Sequence, residues 1–444
     1  MNFCKFTHLC CLLTALTLTF ALAACGETAV DSAASTKEDA VSHAYATGDV
    51  ITIEGEAPTK TTFAQTYARY TVTILRQSTP EPAFAEIGEQ LSAAEVVRDA
   101  AVEAALDVSL TRTETDDMVN DVTRSVQSGD SPDILEFSSA GTAASLAAGG
   151  YLADLDTLGS LKLGNAALDV GLNAALTVAG RCYFLFGDAT VSDRGVTAAL
   201  LADVGAAGEA GIDLAGLLDT IHAGEWTTEM LLQTAADGTM SLDGSAVLPL
   251  FIGTGGKLFV KDEQDVPTLT PGDSFSRAYA AMQTVMAAGH KAEENNTVFT
   301  VGTLDDLDEG LLALPLPAAE AGEPYRSSID PAGAACVSVP AAPADPTRTG
   351  DILTAYFEQS TDTVSATLYA HLDALESAAG GNHALLDLIL GARDCSLGAL
   401  FGWGDLPDAL VDAVGLTESE FLASAEMRLT AAAKAMEIVL NRLG

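Results

Sequence analysis

Strand-like and helix-like segments alternate between residues 70 and 137, and this alternation constrains the fold more than any other feature of the sequence. Three short runs rich in β-branched residues are predicted strands: Tyr70–Leu75, Asp107–Thr111 and Asp133–Phe137. Two helices are predicted between them, one opened by the capping box Ser92-x-x-Glu95 and continuing to Leu106, the other spanning Met118–Gln127 before Gly129. Strands separated by helices favour parallel β-α units, so the sequence predicts an α/β sheet.

The rest of the chain carries the same two kinds of segment. Arg181–Phe186 is a predicted strand. Three start signals predict helices: Thr227 as a cap, Thr270-Pro271-x-Asp273 for a helix ending at Ala288 before Gly289, and the capping box Thr417-x-x-Glu420. Behind the last signal, apolar residues recur every three or four positions to Leu443, which predicts one long terminal helix with a buried face.

The first 25 residues predict a cleaved signal peptide and a lipid anchor. Leu9–Ala24 is an apolar run of 16 residues, which suits a signal-peptide core and is too short to span a membrane. Small residues precede Cys25, so its thiol is the expected site of lipid attachment and the new N-terminus. The alternative is an ordinary signal peptide with an incidental cysteine. The lipidated chain would lie at the extracellular face of the cell membrane and touch the membrane through this anchor only.

The charge of the chain excludes one class of partner. With 62 acidic and 21 basic residues, the formal net charge is −41. Such a surface repels phosphate backbones, so no nucleic-acid partner is expected. The charge does not identify a ligand, because a cleft can differ locally from the rest of the surface.

No local motif predicts catalysis, a metal site or a cofactor. The histidines are scattered, and the cysteines after Cys25 (Cys182, Cys336 and Cys395) have no CxxC spacing, which argues against a disulfide framework and against zinc. Strings typical of serine hydrolases, phosphate loops and zinc proteases do not occur. Asp305-Asp306 could suggest paired catalytic carboxylates but is more typical of the acidic first turn of a helix. The sequence therefore predicts a protein that is not an enzyme.

Six short strings resemble extracellular solute-binding lipoproteins of ABC importers, the sugar-binding type of family 1. They occur in the family's order: Arg98–Glu103 (RDAAVE), Gln127–Asp133 (QSGDSPD), Gly180–Asp188 (GRCYFLFGD), Gly224–Thr227 (GEWT), Val301–Leu307 (VGTLDDL) and Phe401–Gly404 (FGWG). Their common order and spacing carry the resemblance, which covers most of the chain from Tyr70 to about Gly415. Two features depart from the family: Asp237–Val247 is shorter than the corresponding loop, and the chain has only two tryptophans.

The resemblance implies an α/β, two-lobe periplasmic-binding-protein-like fold of type II, with a ligand cleft between the lobes. It divides the chain into a signal peptide (1–24), a lipid-anchored tether (25–66), lobe I (67–178 plus 328–370) and lobe II (179–327 plus 371–444). The implied function is capture of a small solute, a carbohydrate, by a monomer that delivers it to the permease subunits of an ABC importer. Two alternatives stay open: a lipoprotein of the same fold that acts as a sensor or surface-interaction protein without transport, and an extracellular hydrolase.

Seven residues are candidate ligand contacts: Glu136, Ser138, Tyr183, Phe186, Asp188, Thr303 and Trp403. Glu136 and Ser138 lie at the C-terminal end of the third predicted strand, where open α/β sheets bind ligands. The resemblance supplies the other five, with Thr303 as the cap of a helix that faces the cleft. Because a sugar ring stacks on an aromatic side chain while its hydroxyls bond to carboxylates, Trp403 with Asp188 is the preferred pair. The alternative for both tryptophans is a place in a lobe core.

The resemblance also implies that strands cross between the lobes near Gly180–Phe186 and Tyr325–Ala334, and that ligand binding compacts the protein. Cys182 and Cys336 would then come close to each other, and a disulfide between them is one interpretation. The favoured interpretation is two separate buried thiols, because strand register decides which way each side chain points.

Overall fold

The computed structural model describes residues 60–79, 82–235, 239–269, 272–289 and 297–443. The predicted signal peptide and Cys25 lie outside the described residues. The strands are β1 (Tyr70–Gln77), β2 (Val108–Thr115), β3 (Ile134–Phe137), β4 (Ala198–Asp203), β5 (Met240–Ser241), β6 (Phe259–Lys261), β7 (Pro267–Leu269), β8 (Phe299–Thr303), β9 (Leu311–Leu314), β10 (Ser327–Ser328), β11 (Cys336–Ser338) and β12 (Arg393–Asp394).

Helices account for most of the remaining ordered chain. They are α1 (Gly88–Leu106), α2 (Met118–Ser128), α3 (Ala140–Ala148), α4 (Val170–Ala175), α5 (Ser192–Gly195), α6 (Val204–Ala210), α7 (Leu214–His222), α8 (Thr228–Thr234), α9 (Val247–Gly253), α10 (Asp273–Ala288), α11 (Pro346–Ser360), α12 (Ala366–Ala378), α13 (His383–Leu390), α14 (Leu397–Leu400), α15 (Leu406–Asp412), α16 (Glu418–Ser424) and α17 (Glu426–Leu443). A π-helix, Thr361–Ser365, joins α11 to α12. Within the described ranges, no helix combines the length and apolar character that crossing a bilayer requires.

The first sheet confirms the predicted β-α units. Its order is β11-β3-β1-β2, with β1 parallel to both β2 and β3 and with β11 antiparallel to β3. Alternate residues of β1, Val72 and Ile74, are buried and share a core with Val102 and Leu106 of α1. Burying one stripe of a helix against one face of a sheet is the packing that this sequence pattern predicts.

The second sheet is mainly antiparallel, which the sequence did not indicate. Its order is β5-β8-β4-β9; β4 is antiparallel to β8 and β9, and only β5 and β8 run parallel. The chain passes from the first sheet to the second between β3 and β4, and returns between β9 and β11. These two connections contain both predicted crossovers. The residue boundaries of the two lobes remain a prediction.

The first crossover is extended but is not the regular strand predicted for Arg181–Phe186. Only two isolated bridges form in this region, Val178 to Arg181 and Leu185 to Val337. The Leu185 amide donates to the Val337 carbonyl at 2.8 Å, and the Val337 amide donates back at 3.0 Å. The two crossover regions therefore lie side by side, but burial of the side chains rather than a continuous hydrogen-bond ladder holds the first one.

The register of that bridge separates the two cysteines. Leu185 faces Val337 in an antiparallel pair, so Cys182 falls opposite Pro340, four residues and roughly 13 Å along the strand from Cys336. Such a separation exceeds the reach of a disulfide. Cys182, Cys336 and Cys395 are all free and buried, as the favoured interpretation expected for Cys182 and Cys336.

Two predicted helices have different bounds from those expected. Helix α1 begins at Gly88, so Ser92 lies inside the helix and the predicted capping box is wrong; burial of Ile87 and Leu91 against Phe84 draws the preceding turn into the helix. The terminal helix is divided at Ala425 into α16 and α17. The capping box of Thr417 and Glu420 is confirmed, as is the Thr227 cap of α8.

Helix α10 starts at Asp273 and ends before Gly289, where it was expected to end. Thr270 and Pro271 of its predicted start signal lie outside the described residues.

Candidate functional site

A cavity of about 910 Å³ lies where the ends of the two sheets and the C-terminal helices meet. The first-sheet side contributes Val119 of α2 and the first turns of α3, and the second-sheet side contributes the end of β8. The return connection (Ser328–Ala332) and the α14–α15 region close the remaining sides. The volume is within the range of small-molecule sites, and the position follows the rule that α/β sheets bind ligands beyond the carboxyl ends of their strands.

Hydroxyl groups supply the neutral polar part of the lining: Ser139, Thr142, Ser145, Ser245, Thr303 and Ser328. Ser328 is only 3 % exposed, lines the cavity, and its hydroxyl has no hydrogen-bond partner in the described part of the chain. A buried hydroxyl without a partner costs free energy unless a ligand or water satisfies it. Ser328 is therefore a candidate ligand contact.

Four aspartates of the lining form the acidic wall: Asp306, Asp330, Asp405 and Asp408. Asp306 accepts hydrogen bonds from the amide and the hydroxyl of Thr303, both at 2.8 Å, and Asp330 accepts the amide of Ala332 at 2.9 Å. The carboxylates of Asp405 and Asp408 contact no other described residue. No lysine, arginine, histidine or aromatic residue is among the described residues that line the cavity.

The N-terminus of α3 points its first amides at partners within the protein. The Ala140 amide donates to the Ala334 carbonyl at 2.8 Å, and the Gly141 amide donates to the Pro331 carbonyl at 3.1 Å. The Ser139 side chain caps the Thr142 amide. Free amides at a helix N-terminus bind anions. In α3, these amides of the first turn are already hydrogen-bonded within the protein and are not available to an anion.

Of the seven predicted contacts, Thr303 lines the cavity. It ends β8 and forms a capping box with Asp306 on the short 3₁₀ turn Leu304–Asp306. The acidic pair Asp305-Asp306 thus opens a helical turn, as the sequence indicated.

Glu136 lies in a different place from the one predicted. With six other residues it forms the ion network: Arg76, Glu95, Arg98, Asp99, Arg112, Glu136 and Tyr356. This network fills the space between the first sheet and helices α1 and α11. Glu136 accepts hydrogen bonds from Arg76 Nε at 2.5 Å, from Arg112 Nε at 3.3 Å and from the Tyr356 hydroxyl. Both of its carboxylate oxygens are engaged within the network, and Glu136 is not among the residues that line the cavity.

The charges of the ion network balance, since three arginines face three carboxylates. Arg98 is fully buried, and its guanidinium stacks 4.0 Å above the ring of Tyr356, which is a favourable cation–π geometry. Burial raises the pKa of Glu136, but the neighbouring Arg76 and Arg112 outweigh it and lower the pKa to about 2.

Asp188 joins the first crossover to the π-helix instead of facing the cavity. It accepts hydrogen bonds from Thr361 at 2.6 Å, from Ser365 at 2.9 Å and from Arg194 at 2.9 Å. A π-helix inserted between two α-helices is uncommon and often marks a functional position. The geometry makes Asp188 a positioning residue between the crossover and α11–α12.

Three further predicted contacts are also away from the cavity lining. Phe186 is fully buried in the core, and Tyr183 is 4 % exposed and packs beside Phe184. Ser138 donates to the Ser78 carbonyl at 3.4 Å. One residue further along the chain, Ser139 does line the cavity.

Trp403 is a core residue. It is 1 % exposed, stacks on Phe401 at a centroid distance of 5.0 Å and packs against Phe259. Its neighbours Gly402 and Asp405 line the cavity, whereas Trp403 does not. Trp403 and Asp188, the preferred pair, therefore do not form a common binding site in this structure. Trp403 packs in the core, and Asp188 bonds to the π-helix next to the first crossover.

The sequence pointed to the right segments but, apart from Thr303, missed the residues that line the cavity. Ser139 and Thr142 have a visible signal, since a serine directly after a buried strand and before a helix is typical of a cap at the ligand-binding edge. Asp405 and Asp408 directly follow the FGWG string. Ser328 and Asp330 have no local signal. Within the described ranges, no group of three or more histidine, cysteine or acidic residues could hold a metal ion.

Solved structures share this fold. A cyclic α-maltosyl-1,6-maltose-binding protein from Arthrobacter globiformis matches 84 % of this chain and 99 % of its own, at 14 % identity and a TM-score of 0.54. The galacto-N-biose/lacto-N-biose I-binding protein of an ABC transporter from Bifidobacterium longum matches 83 % of this chain and 98 % of its own, at 12 % identity and a TM-score of 0.51. No protein-family model and no curated protein matches the sequence. The predicted α/β, periplasmic-binding-protein-like fold is thus confirmed.

Proposed function

We propose that this chain is a lipid-anchored extracellular solute-binding protein, which captures a small carbohydrate as a monomer and delivers it to the permease of an ABC importer. The observation that carries the proposal is the hydroxyl-lined cavity between the ends of the two sheets. Proteins of the same fold bind oligosaccharides. The proposed role is binding rather than catalysis.

The chemistry of the lining suits a polyhydroxylated ligand. Serine and threonine hydroxyls both donate and accept, and aspartates accept from sugar hydroxyls. The partnerless hydroxyl of Ser328 and the two partnerless carboxylates of Asp405 and Asp408 offer bonds that no described residue supplies. A hinge between the lobes is expected at the two crossovers beside the cavity, the first of which Asp188 joins to the π-helix.

Two serine variants test whether the cavity is the binding site. Ser145 and Ser128 are exposed helical serines, and each donates to a carbonyl of its own helix at 3.0 Å. Only Ser145 lines the cavity. In calorimetric titrations with a panel of mono- and oligosaccharides, we expect Ser145→Trp to lower the affinity at least about tenfold by filling the site. Ser128→Trp is expected to bind as the wild type does. Equal affinities for the two variants would contradict the assignment of the cavity.

The membrane anchor is tested at Cys25. We expect Cys25→Ser to remove the lipid and to release the protein into the medium or to leave it unprocessed, because the thiol is the site of attachment. Membrane fractionation with a radiolabelled fatty acid measures both effects. Retention in the membrane of a Cys25→Ser protein that is unlabelled but has lost its signal peptide would contradict the anchor.

Measuring sugar uptake by cells distinguishes a role in transport from a role as a sensor. If the protein serves an importer, deletion of its gene should abolish uptake of the bound sugar, and the wild-type copy should restore it while Ser145→Trp should not. Normal uptake in the deletion strain, with ligand binding intact in vitro, would favour the sensor alternative.

A further inference from the structure

The acidic wall suggests which kind of carbohydrate enters the cavity, on the premise that the proposed function holds. All four charged residues of the described lining are aspartates. An anionic ligand would meet these charges without a compensating cation and without free amides at the start of α3. Burying such a ligand would carry a large desolvation cost, so sugar acids and sugar phosphates are excluded on physical grounds.

Asp405 and Asp408 are the two lining residues that a site for the neutral hydroxyls of a sugar alone would not need. Asp405 occupies the N-cap position of α15, where an aspartate ordinarily accepts an amide of the first turn, yet its side chain makes no capping hydrogen bond. Asp408 lies one turn further along the same helix and also has no described partner. Arg428 donates to the backbone carbonyl of Asp405 at 3.1 Å and pairs with Asp412 at 3.1 Å, so it does not neutralise the Asp405 or Asp408 carboxylate.

Ser328 provides independent support for a ligand in this space. Ser328 is 3 % exposed and lines the cavity on the wall formed by the return connection, and its hydroxyl forms no hydrogen bond with a described residue. A ligand that spans from α15 to this connection would carry a cationic group at one end and a hydroxyl at the other. Among the described residues, the lining offers no aromatic face on which a neutral sugar ring could stack, so charge rather than stacking must supply much of the affinity.

We infer that the ligand is an amino sugar with a free, protonated amine, bound with the amine against Asp405 and Asp408 and with a ring hydroxyl against Ser328. The inference concerns recognition only and requires no covalent step.

Matched sugars with the same skeleton test the inference. The wild-type protein is titrated calorimetrically with glucose, glucosamine, N-acetylglucosamine and glucuronate, and with galactose, galactosamine and N-acetylgalactosamine. We expect an amino sugar to bind about tenfold or more tightly than its neutral and N-acetylated counterparts, the size of one charge-assisted hydrogen bond. Glucuronate is expected not to bind.

Charge variants link this preference to the acidic wall. The double variant Asp405→Asn/Asp408→Asn should remove the preference for the amine while keeping residual binding of the neutral sugar. The matched control Asp219→Asn changes an exposed aspartate of α7 outside the lining and should keep the preference. Val119→Lys adds a cation at an exposed lining position and should also weaken amine binding, so a folding defect of the double variant does not decide the outcome.

Different results contradict the amine inference, the assigned carboxylates and the proposed function. Equal or tighter binding of the neutral or N-acetylated sugar contradicts the amine inference and leaves carbohydrate capture intact. A preference for the amine that survives in both charge variants contradicts the assigned carboxylates. No binding by any of these sugars, nor by the wider panel, contradicts the proposed function together with the inference.

Discussion

The ion network and the acidic wall both contain carboxylates, but in opposite electrostatic states. In the ion network, Glu95, Asp99 and Glu136 are each paired with arginine, and the site is closed by α1 and α11. In the acidic wall, four aspartates face open space without a cation, and two of them have no hydrogen bond. Paired buried charges serve to hold elements together, whereas unpaired charges beside a cavity are available to a ligand.

The comparison explains why Glu136 looked like a binding residue. A carboxylate at the end of a buried strand is equally consistent with ligand binding and with a structural ion pair. The decision depends on Arg76 from the adjacent strand β1 and on Arg112 from β2, the strand beyond it. Both arginines point to the same face of the sheet as Glu136, an arrangement that follows from strand register and cannot be derived from the local sequence around Glu136.

The largest effect is expected when a carboxylate of the ion network is removed. Glu136→Gln leaves the half-buried guanidinium groups of Arg76 and Arg112 partly uncompensated. It should lower the free energy of unfolding by roughly 3 kcal/mol, the low end for such losses because Glu95 and Asp99 remain. Urea unfolding measures the effect, and Glu89→Gln, an exposed change on the same helix as Glu95, is the control. A loss below that of the control would show that the network is not structural.

Acid should weaken the ion network in a defined range. The pKa of Glu136 is about 2 in the folded protein against an ordinary 4.5. A group whose pKa is lower in the folded protein than in the unfolded chain stabilises the fold above its unfolded pKa. This stabilisation is lost as the pH falls through the pKa of the folded protein. The stability difference between the wild type and Glu136→Gln should therefore shrink between about pH 4.5 and 2. A constant difference over this range would contradict the paired state of Glu136.

Glu376 shows what happens to a buried carboxylate without an arginine. It is fully buried on α12 and accepts the Ala313 amide at 2.7 Å, and its other oxygen has no partner in the described part of the chain. Burial raises its pKa to about 7, opposed by the Ala313 hydrogen bond. When the pKa of a group is higher in the folded protein than in the unfolded chain, its contribution to stability is fully present below the unfolded pKa. The contribution of Glu376 should therefore be lost as the pH rises from about 4.5 to 7.

Relative to Glu376→Gln, the wild type should lose up to roughly 3 kcal/mol of stability over this interval. Thermal unfolding of both proteins at a series of pH values checks the slope. Parallel pH profiles would mean that Glu376 ionises normally in the folded state.

The smallest stability effect is expected at the acidic wall. Asp405→Asn/Asp408→Asn removes two exposed carboxylates that contact no other described residue, and asparagine tolerates the left-handed backbone of Asp405 (φ 47°). The free energy of unfolding should stay within about 0.5 kcal/mol of the wild type. A loss comparable to that of Glu136→Gln would place these aspartates in the structure rather than in binding.

Local sequence signals predicted the fold better than the site. Periodicity and caps located β1, α2, β3 and α8, because these signals depend on neighbours in the chain. The antiparallel second sheet, the burial of Trp403 and the partners of Asp188 depend on contacts between distant segments, such as Thr361 with the first crossover. A string such as FGWG marks the right wall of the cavity, but packing on Phe401 and Phe259 turns Trp403 inward and leaves Asp405 at the surface of the site.

Ligand protection of a thiol at position 328 tests the central claim most directly, that the cavity holds the solute. Cys182, Cys336 and Cys395 are buried, and burial raises the pKa of Cys182 to about 12, so these three thiols should not react with methyl methanethiosulfonate. The experiment uses the mature protein, in which the Cys25 thiol is expected to carry the lipid. Ser328→Cys should react through the cavity. Saturating glucosamine or galactosamine, whichever binds, should slow that reaction at least about tenfold, since an occupied site excludes the reagent. An unchanged rate at ligand concentrations that saturate calorimetric binding would contradict the claim.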